Sequence, residues 1–145
     1  MTTPRKINIL MVEDTEEHGV LMRRALEKGR LKSRISWVKD GKAALDFLYN
    51  RGVYADGEAN HRPDLILLDL KLPKISGLEV LEHVKGDEKL REIPVVILTV
   101  SDEGKDIIRS YQLGAESYFT KSVLFLNKGE GPTAILDTVM AMAGV

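Results

Sequence analysis

Short runs dominated by apolar residues alternate along this chain with longer stretches in which apolar residues recur every three or four positions. The clearest runs are residues 7–12, 65–68 and 95–100. They are close to continuously apolar, as strands must be when helices cover both faces of their sheet. Two weaker strands fit at residues 34–38 and 117–119. Between the runs lie stretches of helical spacing. Residues 16–28 carry Val20, Leu21, Ala25 and Leu26 behind Thr15, which is suited to an N-cap. Residues 41–50 carry Ala44, Leu45, Leu48 and Tyr49, and residues 77–85 carry Leu78, Val80, Leu81 and Val84 behind a capping Ser76. Residues 106–113 carry Ile107, Ile108, Tyr111 and Leu113. Residues 133–143 carry Ile135, Leu136, Val139 and Met142 behind Pro132, a good helix starter. Strand–helix repeated five times predicts an α/β fold. Right-handed crossovers then place helices on both faces of a five-stranded parallel sheet, in three layers. Residues 53–63 are polar, hold Gly57 and Pro63 and show no period, so they read as a surface loop.

Composition narrows the function classes. The 145 residues suit one domain, and 21 basic against 22 acidic side chains argue against a generic binder of nucleic acid or anionic membrane. No cysteine is present, which excludes disulfides, thiolate nucleophiles and cysteine zinc sites. No apolar segment approaches membrane-spanning length and no signal peptide is evident, so a soluble cytoplasmic protein is expected.

In open α/β sheets, functional groups gather beyond the carboxyl ends of the strands. Here the first strand is followed by Glu13 and Asp14 and the third by Asp69. The fourth ends near Thr99, and Lys121 lies just after the fifth. Taken singly, Asp14 reads as a helix cap, Thr99 as a β-former and Lys121 as a solvated charge. Asp69 is different, because it interrupts an apolar stretch where an unpaired charge is costly. Together, three carboxylates crowd one edge, and a divalent cation relieves their repulsion. Oxygen-only ligands favour Mg²⁺, or Mn²⁺, over zinc. A phosphate sharing that cation would be neutralised by Lys121 and accept a hydrogen bond from Thr99, the equipment of phosphoryl transfer. With no cysteine, and no histidine near these strand ends, the nucleophile is expected to be a carboxylate, best Asp69.

These residues resemble the receiver domain of two-component response regulators. The carriers are residues 7–14 (INILMVED), 64–73 (DLILLDLKLP), Gly77, 94–99 (PVVILT), and Gly114-Ala115 leading to Tyr118 and Lys121. The resemblance covers roughly residues 7–143, and it implies a single receiver domain over residues 1–145 with no output domain. It implies a flavodoxin-like (βα)5 topology with strand order 2-1-3-4-5. It further implies that Asp69 accepts a phosphoryl group from the phosphohistidine of a sensor kinase. Glu13, Asp14 and Asp69 would bind Mg²⁺ together with the backbone carbonyl of Lys71, and Lys121 would pair with the phosphate. Thr99 would move toward it on activation, coupled to the rotamer of Tyr118. The 53–63 loop and the Thr120-Lys121-Ser122 sequence resemble the small single-domain regulators paired with bacterial and cyanobacterial phytochromes. Onward transfer to a histidine phosphotransfer protein, or contact with an output partner, would carry the signal. A homodimer or partner surface is expected at helix four, strand five and helix five, near Phe119, Phe125 and Leu126.

Two positions depart from the wider family. Ser122 stands where most receivers carry a cis-proline, and a non-proline cis bond costs about 2.5–4 kcal/mol, so a trans bond and an altered Lys121 loop are expected. Val100 follows Thr99 where a small residue is usual, which implies slow phosphorylation by small donors such as acetyl phosphate. Two rivals stay open on the residues alone. One is a phosphatase of the haloacid-dehalogenase type, although Lys71 stands where that family needs a second aspartate. The other is a receiver-shaped binding module that is never phosphorylated. A nucleotide P-loop is excluded, because Gly41-Lys42 has Ser36 in place of the earlier glycine and Ala43 in place of the hydroxyl. His18, His61 and His83 read as surface or packing residues, and Trp37 as a partly buried aromatic.

Overall fold

The computed structural model describes residues 6–27, 32–55, 62–122 and 141. In chain order it forms β1 (Ile7–Val12), α1 (Glu16–Glu27), β2 (Ser33–Val38), α2 (Gly41–Leu48) and a 3-10 turn (Gly52–Tyr54). Then follow β3 (Leu65–Leu68), α3 (Gly77–Gly86), β4 (Val95–Thr99), α4 (Gly104–Leu113) and β5 (Ser117–Thr120). The five strands make one parallel sheet in the order β2-β1-β3-β4-β5, the topology the family resemblance implied. The helix expected at 133–143, most of the 53–63 loop, His61, Phe125 and Leu126 lie outside the described residues.

The near-continuous apolar runs are explained by a period of two. On one face Leu10, Val12, Ile66, Leu68, Val95 and Ile97 meet Ala44 and Leu45 of α2 and Val80, Leu81 and Val84 of α3. On the other, Ile7, Ile9, Met11, Leu65, Leu67, Val96 and Leu98 meet Met22 and Leu26 of α1. The apolar side chains of β1, β3 and β4 are therefore covered on both faces of the sheet, and each contributes about 1.5–3 kcal/mol by leaving water. Helix starts are fixed locally. Asp40 Oδ1 accepts the Ala43 N–H at 2.7 Å and Ser76 Oγ accepts the Glu79 N–H at 3.3 Å, satisfying donors that the helix cannot.

Two glycines set distances that matter for the strand ends. A Cβ on Gly77 would sit 2.1 Å from the Asp69 carbonyl oxygen, so α3 can begin against β3 only without a side chain there. A Cβ on Gly19 would sit 1.9 Å from the Trp37 ring, so α1 lies flush on the indole. Trp37 is partly buried, as expected. β4 ends at Thr99, one residue earlier than the apolar run suggested, and Val100 is 59% exposed.

Candidate functional site

Strand register brings the acids together. Val12 pairs with Leu68, so Glu13 and Asp69, the next residues on adjacent strands, leave the sheet side by side. Thr99 pairs with Thr120, which places Lys121 one step further along the same edge. Ladder-like backbone bonds continue past the strand ends and hold these residues. The Glu13 N–H donates to the Val38 carbonyl at 3.0 Å, the Asp69 N–H to the Val12 carbonyl at 3.1 Å, and the Lys121 N–H to the Thr99 carbonyl at 2.7 Å.

The side chains then converge on Asp69, which is 2% exposed. Thr99 Oγ1 donates to Asp69 Oδ1 at 2.7 Å, and the Lys71 N–H donates to the same oxygen at 3.1 Å. Lys121 Nζ donates to Asp69 Oδ2 at 2.7 Å and lies 2.6 Å from Glu13 Oε1. Lys121 reaches the site although the Lys121–Ser122 bond is trans, as no cis peptide occurs among the described residues. Buried charges are tolerated only when paired, and Lys121 provides the pairing for two carboxylates at once.

Glu13 is fully buried. Burial pushes its carboxyl above the usual carboxylate value, with Asp69 adding to the rise. Lys121 and the Thr15 N–H, which donates to Oε2 at 3.0 Å, oppose it. Its Oε1 has no aligned hydrogen bond despite the nearby ammonium. Asp14 is exposed at the mouth, where a cleft of about 500 Å³ also meets Lys71, Leu72, Ser76 and Asp106. Oxygens of Glu13, Asp14 and Asp69 all lie within 4.8 Å of one another. An underbonded buried oxygen beside two further carboxylates is a donor set that fits a hard divalent cation.

The structure thus brings together Glu13, Asp14, Asp69, Thr99 and Lys121, which the strand ends pointed to, with the Lys71 backbone beside them. Tyr118 stands slightly apart: it is half-buried and its hydroxyl donates to the Ser101 carbonyl at 2.8 Å in the loop after Thr99. Two contacts had not been foreseen. Trp37 Nε1 donates to the Glu13 carbonyl at 2.8 Å, and His18 Nδ1 lies 3.0 Å from Lys121 Nζ. His18 lies in the first turn of α1, four residues after Asp14 in sequence; His83 is exposed as expected.

The family model of the response regulator receiver domain matches residues 9–127. The chain belongs to the response regulator receiver family. Among its relatives, the probable methanogenesis regulatory protein FilR2 of Methanothrix harundinacea is 44% identical over 117 residues, 81% of this receiver and 73% of that protein. Response regulator Rcp1 of Synechocystis sp. is 42% identical over 121 residues, 83% of this receiver and 80% of Rcp1. The crystal structure of Mn²⁺-bound Rcp1 superposes with a TM-score of 0.75 at 36% identity, covering 95% of this receiver and 90% of that chain. The bacteriophytochrome response regulator AtBRR superposes with a TM-score of 0.79 at 41% identity, covering 98% and 95%. The receiver is therefore a homologue of phytochrome response regulators. None of its described helices is long and apolar enough to cross a membrane.

Proposed function

We propose that this receiver is a phosphorylatable switch that takes a phosphoryl group from a sensor histidine kinase of the phytochrome type onto Asp69. The observation that carries the reading is the buried Asp69 carboxylate held between Thr99 Oγ1 and Lys121 Nζ within an acidic cluster. An Asp69 oxygen forms the new P–O bond as the donor's P–N bond breaks, the electron pair leaving with the donor imidazole. Lys121 and Thr99 are placed to meet the incoming oxygens, charge against charge and donor against acceptor. Glu13, Asp14, Asp69 and the Lys71 carbonyl would hold Mg²⁺, which when bound neutralises the charge on the transferring group. Hydrolysis later returns the carboxylate and inorganic phosphate, and neither step calls for an external redox partner. Thr99 and Tyr118 would relay the state of Asp69 to the loop containing Ser101.

Incubation with acetyl phosphate and Mg²⁺ tests the reading. A persistent acyl phosphate is expected; rapid turnover of many phosphoesters would point to a phosphatase, and no incorporation to a silent binding module. Mg²⁺ itself is expected to stabilise the fold by about 2.7 kcal/mol at a hundredfold excess over its Kd. That shift raises Tm by roughly 5–10 °C for a chain of this size. Asp14→Asn, at an exposed position, should remove most of the rise; a wild-type Tm indifferent to Mg²⁺ contradicts the metal site.

The output is proposed to be a protein contact, either a homodimer or a histidine phosphotransfer or other partner, through α4 and β5. Ile108 and Tyr111 lie one turn apart on α4 and are 60% and 49% exposed, an apolar strip suited to such a contact. Sedimentation with and without beryllofluoride should show association on activation; a monomer in both states excludes the homodimer.

A further inference from the structure

An ammonium group has three N–H donors and no acceptor. In this receiver Lys121 Nζ is hydrogen-bonded to Asp69 Oδ2 at 2.7 Å and to His18 Nδ1 at 3.0 Å, and it lies in ionic contact with Glu13 Oε1 at 2.6 Å. Because the ammonium only donates, Nδ1 is the acceptor and the ring proton belongs on Nε2. His18 is half-buried and comes from α1, an element separate from the strand ends that carry Asp69, Thr99 and Lys121. Its placement is not left to a flexible side chain on a loose helix. The neighbouring Gly19 lies flush on the Trp37 ring, and Trp37 Nε1 is bonded to the Glu13 carbonyl at 2.8 Å. The rotation of α1 about its axis is thereby locked to the loop that carries the acids.

The three partners of Lys121 differ in what phosphorylation does to them. Asp69 becomes an acyl phosphate and loses its charge at Oδ. Glu13 would help hold the metal. His18 takes part in neither event. We propose that His18 is a positioning residue for phosphoryl transfer, the anchor that keeps the Lys121 ammonium aimed at the phosphoryl oxygens while its two carboxylate partners change state. This inference rests on the reading of Asp69 as the phosphorylated residue. His18 touches Lys121 and not the reacting atoms, so its effect passes through the lysine.

The test uses the full chain with Mg²⁺ and acetyl phosphate, comparing His18→Leu with His18→Asn, each also combined with Lys121→Met. Leucine removes the acceptor and keeps bulk. Asparagine offers an amide oxygen close to where Nδ1 stood. His18→Leu is expected to slow phosphorylation roughly three- to tenfold, the range set by one net hydrogen bond, with His18→Asn recovering most of the loss. In the Lys121→Met background the two substitutions should be indistinguishable, because the group they act through is gone. Equal losses in the leucine and asparagine variants, no loss in either, or a loss that persists without Lys121 would overturn the role. A wild-type chain that takes up no phosphate overturns the phosphorylation reading and this inference with it. Wild-type phosphorylation with indifferent His18 variants overturns the role of His18 alone.

Discussion

Asp69→Asn is expected to abolish phosphate incorporation while leaving the fold in place. Asparagine has nearly the same shape, and its amide oxygen can still accept from Thr99 Oγ1, which reaches the aspartate at 2.7 Å. What disappears is the anionic oxygen able to attack phosphorus, and among the described residues no other carboxylate shares its position between Thr99 and Lys121. Asp14 is exposed and Glu13 is turned toward Lys121 and the Thr15 N–H, so neither substitutes for it. Stability should not fall. Asp69 is one of the groups raising the Glu13 carboxyl, and removing its charge relieves two buried acids of mutual repulsion. Incorporation of phosphate from a labelled donor, read beside a thermal unfolding curve, checks both halves; uptake near the wild-type level in the variant would remove Asp69 from its role.

Lys121→Met is expected to damage both chemistry and stability. Lys121 is 3% exposed and is the cation facing Glu13 and Asp69, themselves 0% and 2% exposed. Removing one partner of a buried ion pair leaves uncompensated charge and costs roughly 3–5 kcal/mol. Losing the cation that meets the phosphoryl oxygens should slow phosphorylation about a hundredfold, as loss of a single oxyanion donor does elsewhere. The stability loss carries a pH signature. Glu13 already titrates above the usual carboxylate value in the folded chain because of burial, and Lys121 pulls it down. A carboxyl raised by folding costs nothing below its unfolded pKa, and its cost grows as pH rises toward the folded value. Without Lys121 that folded value climbs further, so the difference between variant and wild type should be greatest near neutrality and shrink on acidification. Denaturant melts across that range provide the measurement; a deficit that is flat with pH contradicts the pairing. Mg²⁺ should restore part of the neutral-pH loss, since it supplies positive charge to the same acids.

How far the sequence could be read follows from the kind of interaction each feature depends on. The strands were legible because both faces are covered, so residues such as Ile66 and Leu67 are apolar in succession rather than in alternation. The acids were legible because Glu13, Asp14 and Asp69 fall at the ends of those same runs. The register that sets Glu13 beside Asp69 was not, since it depends on how β1 and β3 slide past one another, and apolar residues on both faces leave that offset unmarked. His18 and Trp37 escaped for a related reason. Their roles depend on the rotation of α1 against the sheet, which Gly19 fixes through contact with the Trp37 ring, and a glycine one residue after a histidine carries no such message by itself. The short 3-10 turn at Gly52–Tyr54 interrupts what read as featureless loop, with Tyr54 packing edge-on against Phe47 at 5.3 Å between centroids. The departure at Ser122 mattered less than expected, because Lys121 is held by its backbone bond to Thr99 and by the acids it reaches.

The site of phosphorylation is open to direct reading. Borohydride reduces an acyl phosphate to the corresponding alcohol, marking the residue that carried it for peptide mass spectrometry. After treatment with Mg²⁺ and a phosphodonor, reduction is expected at Asp69 and nowhere else, and only in samples that received the donor. Reduction at Asp14 or another acid, or none at all in a folded chain with metal bound, would contradict Asp69 as the phosphoryl acceptor.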